Sequence, residues 1–193
     1  MADYKDVKYN VDYGDTTGGA GGLNLISSSH IANGASGHDD IASSIDFTSG
    51  LDSTYDVYKF IVNGMIPDGQ QSLHFQVDTG TNTNYNQTVT TMQRALSHKA
   101  DGTAFGDDGH GGPQDNDAAN AIIGIGQKGD GDDDNQDRGG LSGYMYLFNP
   151  ASTVFEKHFI SKMNTMTGDP GSYNNFVAGY GNTTSAVNSV QFK

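Results

Sequence analysis

Five aspartates that lie within residues 130–137 are the side chains of this sequence that most readily suggest chemistry. They are Asp130, Asp132, Asp133, Asp134 and Asp137. Several carboxylates on a flexible loop suit calcium, and Asp130-x-Asp132-x-Asp134 matches the start of an EF-hand loop. The motif then fails, because its sixth position is Asn135 instead of Gly and its twelfth is Leu141 instead of Glu. The departures favour a solvated acidic loop over a calcium site. The ligands of the calcium alternative would be Asp130, Asp132, Asp134 and Asp137.

A second group of acids lies upstream and would complete a calcium site if the chain folded back. Its members are Asp107, Asp108, Asp115 and Asp117. No cofactor other than calcium is indicated. Gly124-x-Gly126 is not followed by the GK[ST] of a phosphate-binding loop. The six histidines form neither HxH nor HExxH, so we expect His74 and His158 to lie on strands without a metal.

Catalytic signatures are weak in this chain. No serine stands in a GxSxG motif, and there is no cysteine. Glycoside hydrolysis needs two positioned carboxylates, which the 23 acids neither establish nor exclude. The chain lacks Trp, the commonest platform for stacking sugars, so Tyr would have to do that work. We therefore predict a protein that is not an enzyme.

The composition narrows the classes of partner. A net charge of −13 with only ten Lys and Arg residues argues against nucleic acid and against anionic membrane surfaces. Every acid except Glu156 is Asp, which suits turns better than helices, and 27 glycines point the same way. No apolar run is long enough for a membrane span, and no signal peptide is evident at the N-terminus. We expect a soluble chain that is made in a cytoplasm.

Short alternating segments predict strands. Leu73, Phe75 and Val77 share one face of a half-buried strand. In 143–148, Tyr144, Tyr146 and Phe148 point to one face, and Met145 and Leu147 to the other. Residues 55–66 have apolar residues on both faces, which predicts a central strand. Residues 154–163 also fit a helix, but their neighbours favour a strand. The remaining predicted strands are 23–31, 41–47, 88–96, 121–125, 175–181 and 186–192.

These segments predict an all-β fold, a jelly-roll-like antiparallel β-sandwich of eight to ten strands over residues 23–193. Residues 1–22 end in TTGGAGG and predict an N-terminal arm with a flexible hinge. Either a frayed terminus or a strand that pairs with a neighbouring subunit fits this arm. Residues 98–140, rich in Gly and Asp, predict a long acidic loop, which 121–125 interrupts.

Four strings of sequence carry a resemblance to a known family. They are IDFTSGLDSTYDVYKFIVNGMIPDGQQSLHFQVDTG, NYNQTVTT, LFNPASTVFEKHFIS and AGYGNTTSAVNSVQFK. Together they resemble the C-terminal β module of tail-fibre-like and other virion proteins of marine bacteriophages, including those that infect cyanobacteria. The likeness covers residues 41–98 and 141–193. It implies a domain on the particle surface or at the contact with the host.

The sequence departs from that family in two ways. Only the short arm 1–22 precedes the module instead of a fibre shaft, which favours a compact decoration or appendage protein. The family module runs one strand beyond QFK, so further residues or a neighbouring subunit would supply that strand. We therefore expect a structural protein of the virion surface. Its arm would dock on other virion proteins, and it would assemble as a homotrimer. A lectin-like module that binds host glycans is the alternative, and a depolymerase a more distant one.

Overall fold

Ten β-strands make up the regular structure of the part of the chain that the computed structural model describes. The described residues are 23, 25–29, 43–65, 72–80, 83–99, 101–102, 114–118, 121–125, 140–167 and 171–193. The strands are β1 (Ile45–Phe47), β2 (Val57–Met65), β3 (Ser72–Asp78), β4 (Val89–Lys99), β5 (Gln114–Ala118), β6 (Ala121–Ile125), β7 (Leu141–Phe148), β8 (Lys157–Thr167), β9 (Gly171–Gly181) and β10 (Ser189–Phe192). The predicted all-β class is confirmed.

The strands form two antiparallel sheets. One has four strands in the order β1-β10-β3-β6, and the other has six in the order β2-β7-β8-β9-β4-β5. Three consecutive strands, β7, β8 and β9, form the middle of the larger sheet as an antiparallel meander. Strand β4 then pairs with β9 over eleven residues, from Val89 opposite Gly181 to Lys99 opposite Gly171. The two sheets together are consistent with the predicted β-sandwich, and its jelly-roll form stays a prediction.

The hydrophobic core consists of the inward side chains of both sheets. Leu73, Phe75 and Val77 on β3 are buried, as the alternation of that strand predicts. On β7 the buried side chains are Met145 and Leu147, and on β8 Phe159 and Met163. All seven belong to one contiguous cluster. Side chains at alternate positions of a strand face the same side, so this burial also decides which residues face outward.

Phenylalanine rings from five strands tie the two sheets together. The ring of Phe192 on β10 lies 5.6 Å from Phe75 on β3 and 5.2 Å from Phe60 on β2, measured between centroids. Phe47 on β1 lies 5.8 Å from Phe60, and Phe75 lies 5.2 Å from Phe159 on β8. Tilted and edge-on pairs at these separations stabilise beyond the area they bury. The cluster thereby fixes the four-stranded sheet against β2 and β8 of the larger one.

Gly179 allows Phe159 to lie against the neighbouring strand. The two residues are paired across β8 and β9. A Cβ atom at Gly179 would lie 3.0 Å from Cζ of Phe159 and 2.8 Å from Cγ2 of Thr91. Both separations are shorter than ordinary carbon contacts, so any larger residue would displace the ring or the strand.

A buried lysine links two chain segments at the end of the sheet where β8 begins. The side chain of Lys157 is fully buried, and its Nζ atom donates hydrogen bonds to the carbonyl oxygens of Phe155 (2.6 Å) and Thr184 (3.1 Å). Burial lowers the pKa of Lys157, whereas the charge of Glu156 opposes that change. These bonds hold the segment after β9 against the start of β8.

Most predicted strands are confirmed, including the ambiguous segment, which forms β8, and the return of 121–125 to a sheet as β6. Three predictions about the positions of strands differ from the structure. Residues 25–29 lie outside any strand, and the side chains of Leu25 and Ile26 are exposed, so they do not contribute to the core. Strand β2, predicted at a central position, lies at an edge of the larger sheet among the described strands, with β7 as its one neighbour there. Strand β5 lies within the predicted acidic loop.

Two outward residues of β3 are buried, contrary to the prediction of a half-exposed strand. Gln76 and Asp78 are buried because Tyr85, in the segment after the strand, lies close to this side of the sheet. The amide nitrogen of Gln76 donates to the carbonyl oxygen of Tyr85 at 3.0 Å. Tyr85 and Thr83 adopt φ values of 47° and 48°, a region that is uncommon for residues other than glycine. The predicted arm 1–22 lies outside the described residues.

We expect the substitution Phe75→Ala to destabilise the fold by about 3–5 kcal/mol, because it removes a fully buried ring that contacts both Phe159 and Phe192. Urea unfolding followed by circular dichroism would measure the change. The matched control is Phe155→Ala, in the turn before β8, where the ring is 67% exposed. A similar cost for both variants would contradict the assignment of the core.

We expect His74 to make the protein less stable at mildly acidic pH. Burial, and secondarily the charge of Lys193, lower the pKa of His74 below 6.5. Below that pH, His74 therefore binds protons more readily in the unfolded chain than in the folded protein. The stability that neutral His74 contributes is present above about pH 6.5 and is lost as the pH falls through the lowered pKa. The urea midpoint of the wild type should fall more steeply than that of His74→Gln between about pH 7.5 and pH 5.5. Equal slopes would contradict the pKa shift.

Candidate functional site

The outward side chains of five adjacent strands form the most distinctive surface of the described chain. We call this surface the outer face; it lies on β2, β7, β8, β9 and β4. Its rows follow from the register of the sheet. One row is Lys59, Tyr146, Ile160, Ala178 and Met92, and the next is Ile61, Tyr144, Lys162, Phe176 and Arg94. These rows cross the sheet perpendicular to the strands, so residues distant in sequence become neighbours.

Three aromatic rings follow one another along β7 and form what we call the aromatic ladder. They belong to Tyr144, Tyr146 and Phe148, the residues that the sequence places on one side of that strand. The centroids of Tyr144 and Tyr146 are 5.4 Å apart, and those of Tyr146 and Phe148 are 6.3 Å apart with nearly parallel planes. Each ring is partly exposed. Burial of Met145 and Leu147 on the opposite side of β7 fixes this orientation.

Lysine side chains lie on both sides of the aromatic ladder. Nζ of Lys59 on β2 is 5.2 Å from the centroid of Tyr144 and 5.5 Å from that of Tyr146. On the other side of the ladder, Nζ of Lys162 on β8 is 5.2 Å from the ring of Phe176 on β9. Such cation–π contacts stabilise by about 0.5–1 kcal/mol at exposed sites. One positive charge therefore lies on each side of β7.

The strands that carry the outer face contain no acidic residue. Neither Asp nor Glu occurs within the bounds of β2, β4, β7, β8 or β9, although the whole chain has 23 acids. Lys59, Lys162 and Arg94 are the cations at outward positions of these strands. The charged side chains of these five strands are therefore cationic, whereas the sixth strand of the sheet, β5, carries Asp115 and Asp117, and the net charge of the whole chain is −13. This separation of charge is the electrostatic signature of the surface.

Large apolar side chains are exposed beside these cations. Ile61 on β2 is 69% exposed, and Met92 on β4 is 62% exposed. Other exposed apolar residues of the outer face are Val57, Leu96, Ile160, Met166 and Phe176. Single exposed apolar residues are ordinary, but several on one sheet face mark a surface that contacts another molecule.

A second group of polar side chains lies on the outside of the smaller sheet, near Tyr85. Burial raises the pKa of Tyr85, and the charges of Asp46 and Asp78 raise it further. The side-chain nitrogen of Gln191 on β10 donates to Oδ1 of Asp46 on β1 at 2.7 Å. Asp78 and Tyr85 are both buried, so we interpret this group as one that stabilises the segment before β4 and not as a binding site.

The aspartates predicted as calcium ligands belong to a segment that the structure does not describe. Asp130, Asp132, Asp134 and Asp137 lie outside the described residues, as do Asp107 and Asp108. Asp115 and Asp117 lie on β5, at the edge of the larger sheet. Among the residues described, no group of three His, Cys, Asp or Glu side chains is arranged to hold a metal ion. The calcium site stays a prediction.

Both histidines expected on strands lie on them. His74 is on β3, and His158 is on β8 with its ring 5.6 Å from that of Tyr180 on β9. His158 thereby belongs to the outer face, which sequence reasoning did not identify as a unit. The alternation of 143–148 indicated the aromatic ladder, but nothing local indicated that Lys59 and Lys162 lie on its two sides.

Comparisons with known proteins found no family model, no curated protein and no solved structure that matches the chain. Within the ranges that the structure covers, no helix has the length and apolar character needed to cross a membrane. The residues of the outer face are therefore the main basis for an inference about function.

We expect the substitutions Ile61→Ser and Met92→Ser to lower stability by at most about 1 kcal/mol each, because only exposed contacts between strands are lost. They should also reduce the fluorescence of a dye that binds apolar surfaces. Ile123→Ser, at a fully buried position, is the control that should be strongly destabilising. Losses of about 2–5 kcal/mol at Ile61 or Met92 would show instead that the outer face is part of a core.

Proposed function

We propose that the protein is a non-enzymatic structural protein of a bacteriophage particle, a surface decoration or appendage protein that acts by assembly and by contact with the host surface. The single structural observation that supports a contact role is the outer face, a broad sheet surface with exposed apolar, aromatic and cationic side chains. A sheet face of this kind suits contact with a large partner, since it offers area and fixed geometry.

The assignment to a bacteriophage particle rests on the sequence resemblance over residues 41–98 and 141–193. The β-sandwich agrees with what that resemblance implies, and a jelly-roll topology belongs to the same proposal. All four strings that carry the likeness contribute residues to strands of the two sheets. A fold of this kind hosts many functions, so the surface and not the fold supports contact.

Assembly would use other parts of the molecule. Residues 1–22 would dock on other virion proteins. Among the described strands, β2 has β7 as its single neighbour, so its other edge is the one that we propose for pairing with another chain. We propose a homotrimer, in which self-association would cover such edges. In this proposal the protein lies on the virion surface, and its outer face points away from the particle.

Labelling of intact particles tests the proposal. Gold-labelled antibodies against this chain should bind the surface of purified particles of a phage that encodes it, when viewed by electron microscopy. Mass spectrometry of the same particles should detect the chain as a stable component. If the chain is absent from purified particles, or if the purified protein turns over a polysaccharide, the proposal fails.

Charge-reversal variants distinguish contact with the host from incorporation into the particle. Phage that carries Lys59→Glu together with Lys162→Glu should incorporate the protein normally, because both side chains lie on the surface, yet adsorb to host cells about tenfold more slowly through the lost electrostatic attraction. The matched control is Lys193→Glu, at an exposed position next to the smaller sheet. Normal adsorption of the double variant would contradict the assignment of the outer face.

A further inference from the structure

The aromatic ladder offers three partly exposed rings in a row to a linear ligand. Tyr144, Tyr146 and Phe148 are spaced at 5.4 and 6.3 Å along a single strand; the planes of Tyr146 and Phe148 are 26° apart, and Tyr144 meets Tyr146 edge-on at 68°. A pyranose sugar has one face of C–H groups that is about as wide as a phenyl ring, and such faces stack on aromatic side chains. Because the rings belong to one strand of a meander, their spacing is fixed by the sheet. A flexible side-chain cluster would lose more entropy on binding.

The charges beside the ladder select the kind of sugar. Lys59 lies opposite Tyr146 on one side, and Lys162 lies opposite Tyr144 on the other. The five strands of the outer face contain no carboxylate to accept hydrogen bonds from the hydroxyl groups of a neutral sugar. Ammonium groups donate best to carboxylate or sulfate oxygens. The chemistry therefore fits a glycan that carries negative charge.

Other occupants fit this surface less well. A second copy that packed face to face would oppose two surfaces that both carry Lys59, Lys162 and Arg94 on strands without an acid to pair with them, which is a repulsive arrangement. Single-stranded nucleic acid also stacks on aromatic rings, but it carries a phosphate at every nucleotide, and the net charge of −13 opposes its approach. An acidic glycan presents sugar faces between its charges and matches both features of the surface.

We propose that the aromatic ladder binds an acidic polysaccharide, with sugar rings stacked on Tyr144, Tyr146 and Phe148 and their carboxylate or sulfate groups held by Lys59 and Lys162. This proposal rests on the proposed function, in which the outer face is the contact surface of the particle. It adds the chemical class of the ligand and the strand along which the ligand lies.

The test uses the full-length protein and defined oligosaccharides. Isothermal titration calorimetry would compare a hexamer of alginate, which carries one carboxylate on each sugar, a sulfated carrageenan oligosaccharide and a neutral hexamer of cellulose. We expect binding of one or both acidic probes that weakens as the salt concentration rises above about 0.15 M, and at least about tenfold weaker binding of the neutral probe. Tight binding of the neutral hexamer, or no binding of either acidic probe, would overturn the proposal.

Two variants assign the binding to the ladder. Tyr146→Ala should weaken binding of the acidic probe about tenfold through the loss of stacking, and Lys59→Gln should weaken it while reducing its salt dependence. Phe155→Ala and Lys193→Gln are the matched controls, since both residues are exposed and lie off the outer face, and they should bind as the wild type does. Equal loss in variants and controls would overturn the assignment.

The remaining outcomes are distinguishable from a failure of the proposed function. A single-stranded DNA oligonucleotide that binds more tightly than the acidic glycans would overturn the glycan proposal in favour of nucleic acid. Absence of glycan binding, together with slow adsorption of the Lys59→Glu and Lys162→Glu phage, would overturn the glycan proposal but keep the contact surface, with a host protein as its partner. Absence of the chain from particles would overturn the proposed function whatever the calorimetry shows.

Discussion

The alternation of side chains along a strand is the constraint on which both the core and the outer face depend. On β7, Met145 and Leu147 are fully buried, and this forces Tyr144, Tyr146 and Phe148 to the opposite side. A slip of one residue in the pairing of β7 with β8 would exchange the two sets. It would place tyrosine hydroxyl groups in the core and Met145 and Leu147 in solvent. The apolar packing that stabilises the fold is thus the same interaction that presents the aromatic ladder.

The inner phenylalanine cluster and the outer ladder are mechanically connected through β2 and β8. Phe60 on β2 packs against Phe192 inside the sandwich, while the preceding residue, Lys59, lies over the ladder outside. Phe159 on β8 packs against Phe75, and three positions later Lys162 lies over Phe176. Each lysine is positioned by a strand that a buried ring fixes. Loosening of the core would therefore also displace the charges beside the ladder.

The sequence predicted what depends on neighbouring residues and missed what depends on sheet order. The pattern of 143–148 was sufficient to predict which residues of β7 face outward, and that of 72–78 predicted Leu73, Phe75 and Val77 in the core. The edge position of β2 was not predictable from its sequence. A strand with apolar residues on both of its faces can be buried in the centre of a sheet, or it can expose one apolar face as a contact surface. Burial of Gln76 and Asp78 depends on Tyr85, which reaches them through a backbone turn. The positions of Lys59 and Lys162 on the two sides of Tyr144 result from pairing between distant segments.

A chain with a net charge of −13 repels an anionic partner at long range, so it can attract one only where salt screens distant acids and nearby cations dominate. At physiological ionic strength the Debye length is about 8 Å, so an acid further than that from the ladder contributes little at its surface. Lys59, whose Nζ atom lies 5.2 Å from the ring centroid of Tyr144, acts within this range, and Lys162 is paired with Tyr144 on the adjacent strand. The absence of acids from β2, β4, β7, β8 and β9 keeps negative charge off the strands that carry these lysines. At low ionic strength the negative net charge would act over longer distances and slow the approach of a polyanion, whereas at high ionic strength the lysines would also be screened. Attraction should therefore be greatest at an intermediate salt concentration, where the local charges outweigh the charge of the whole chain.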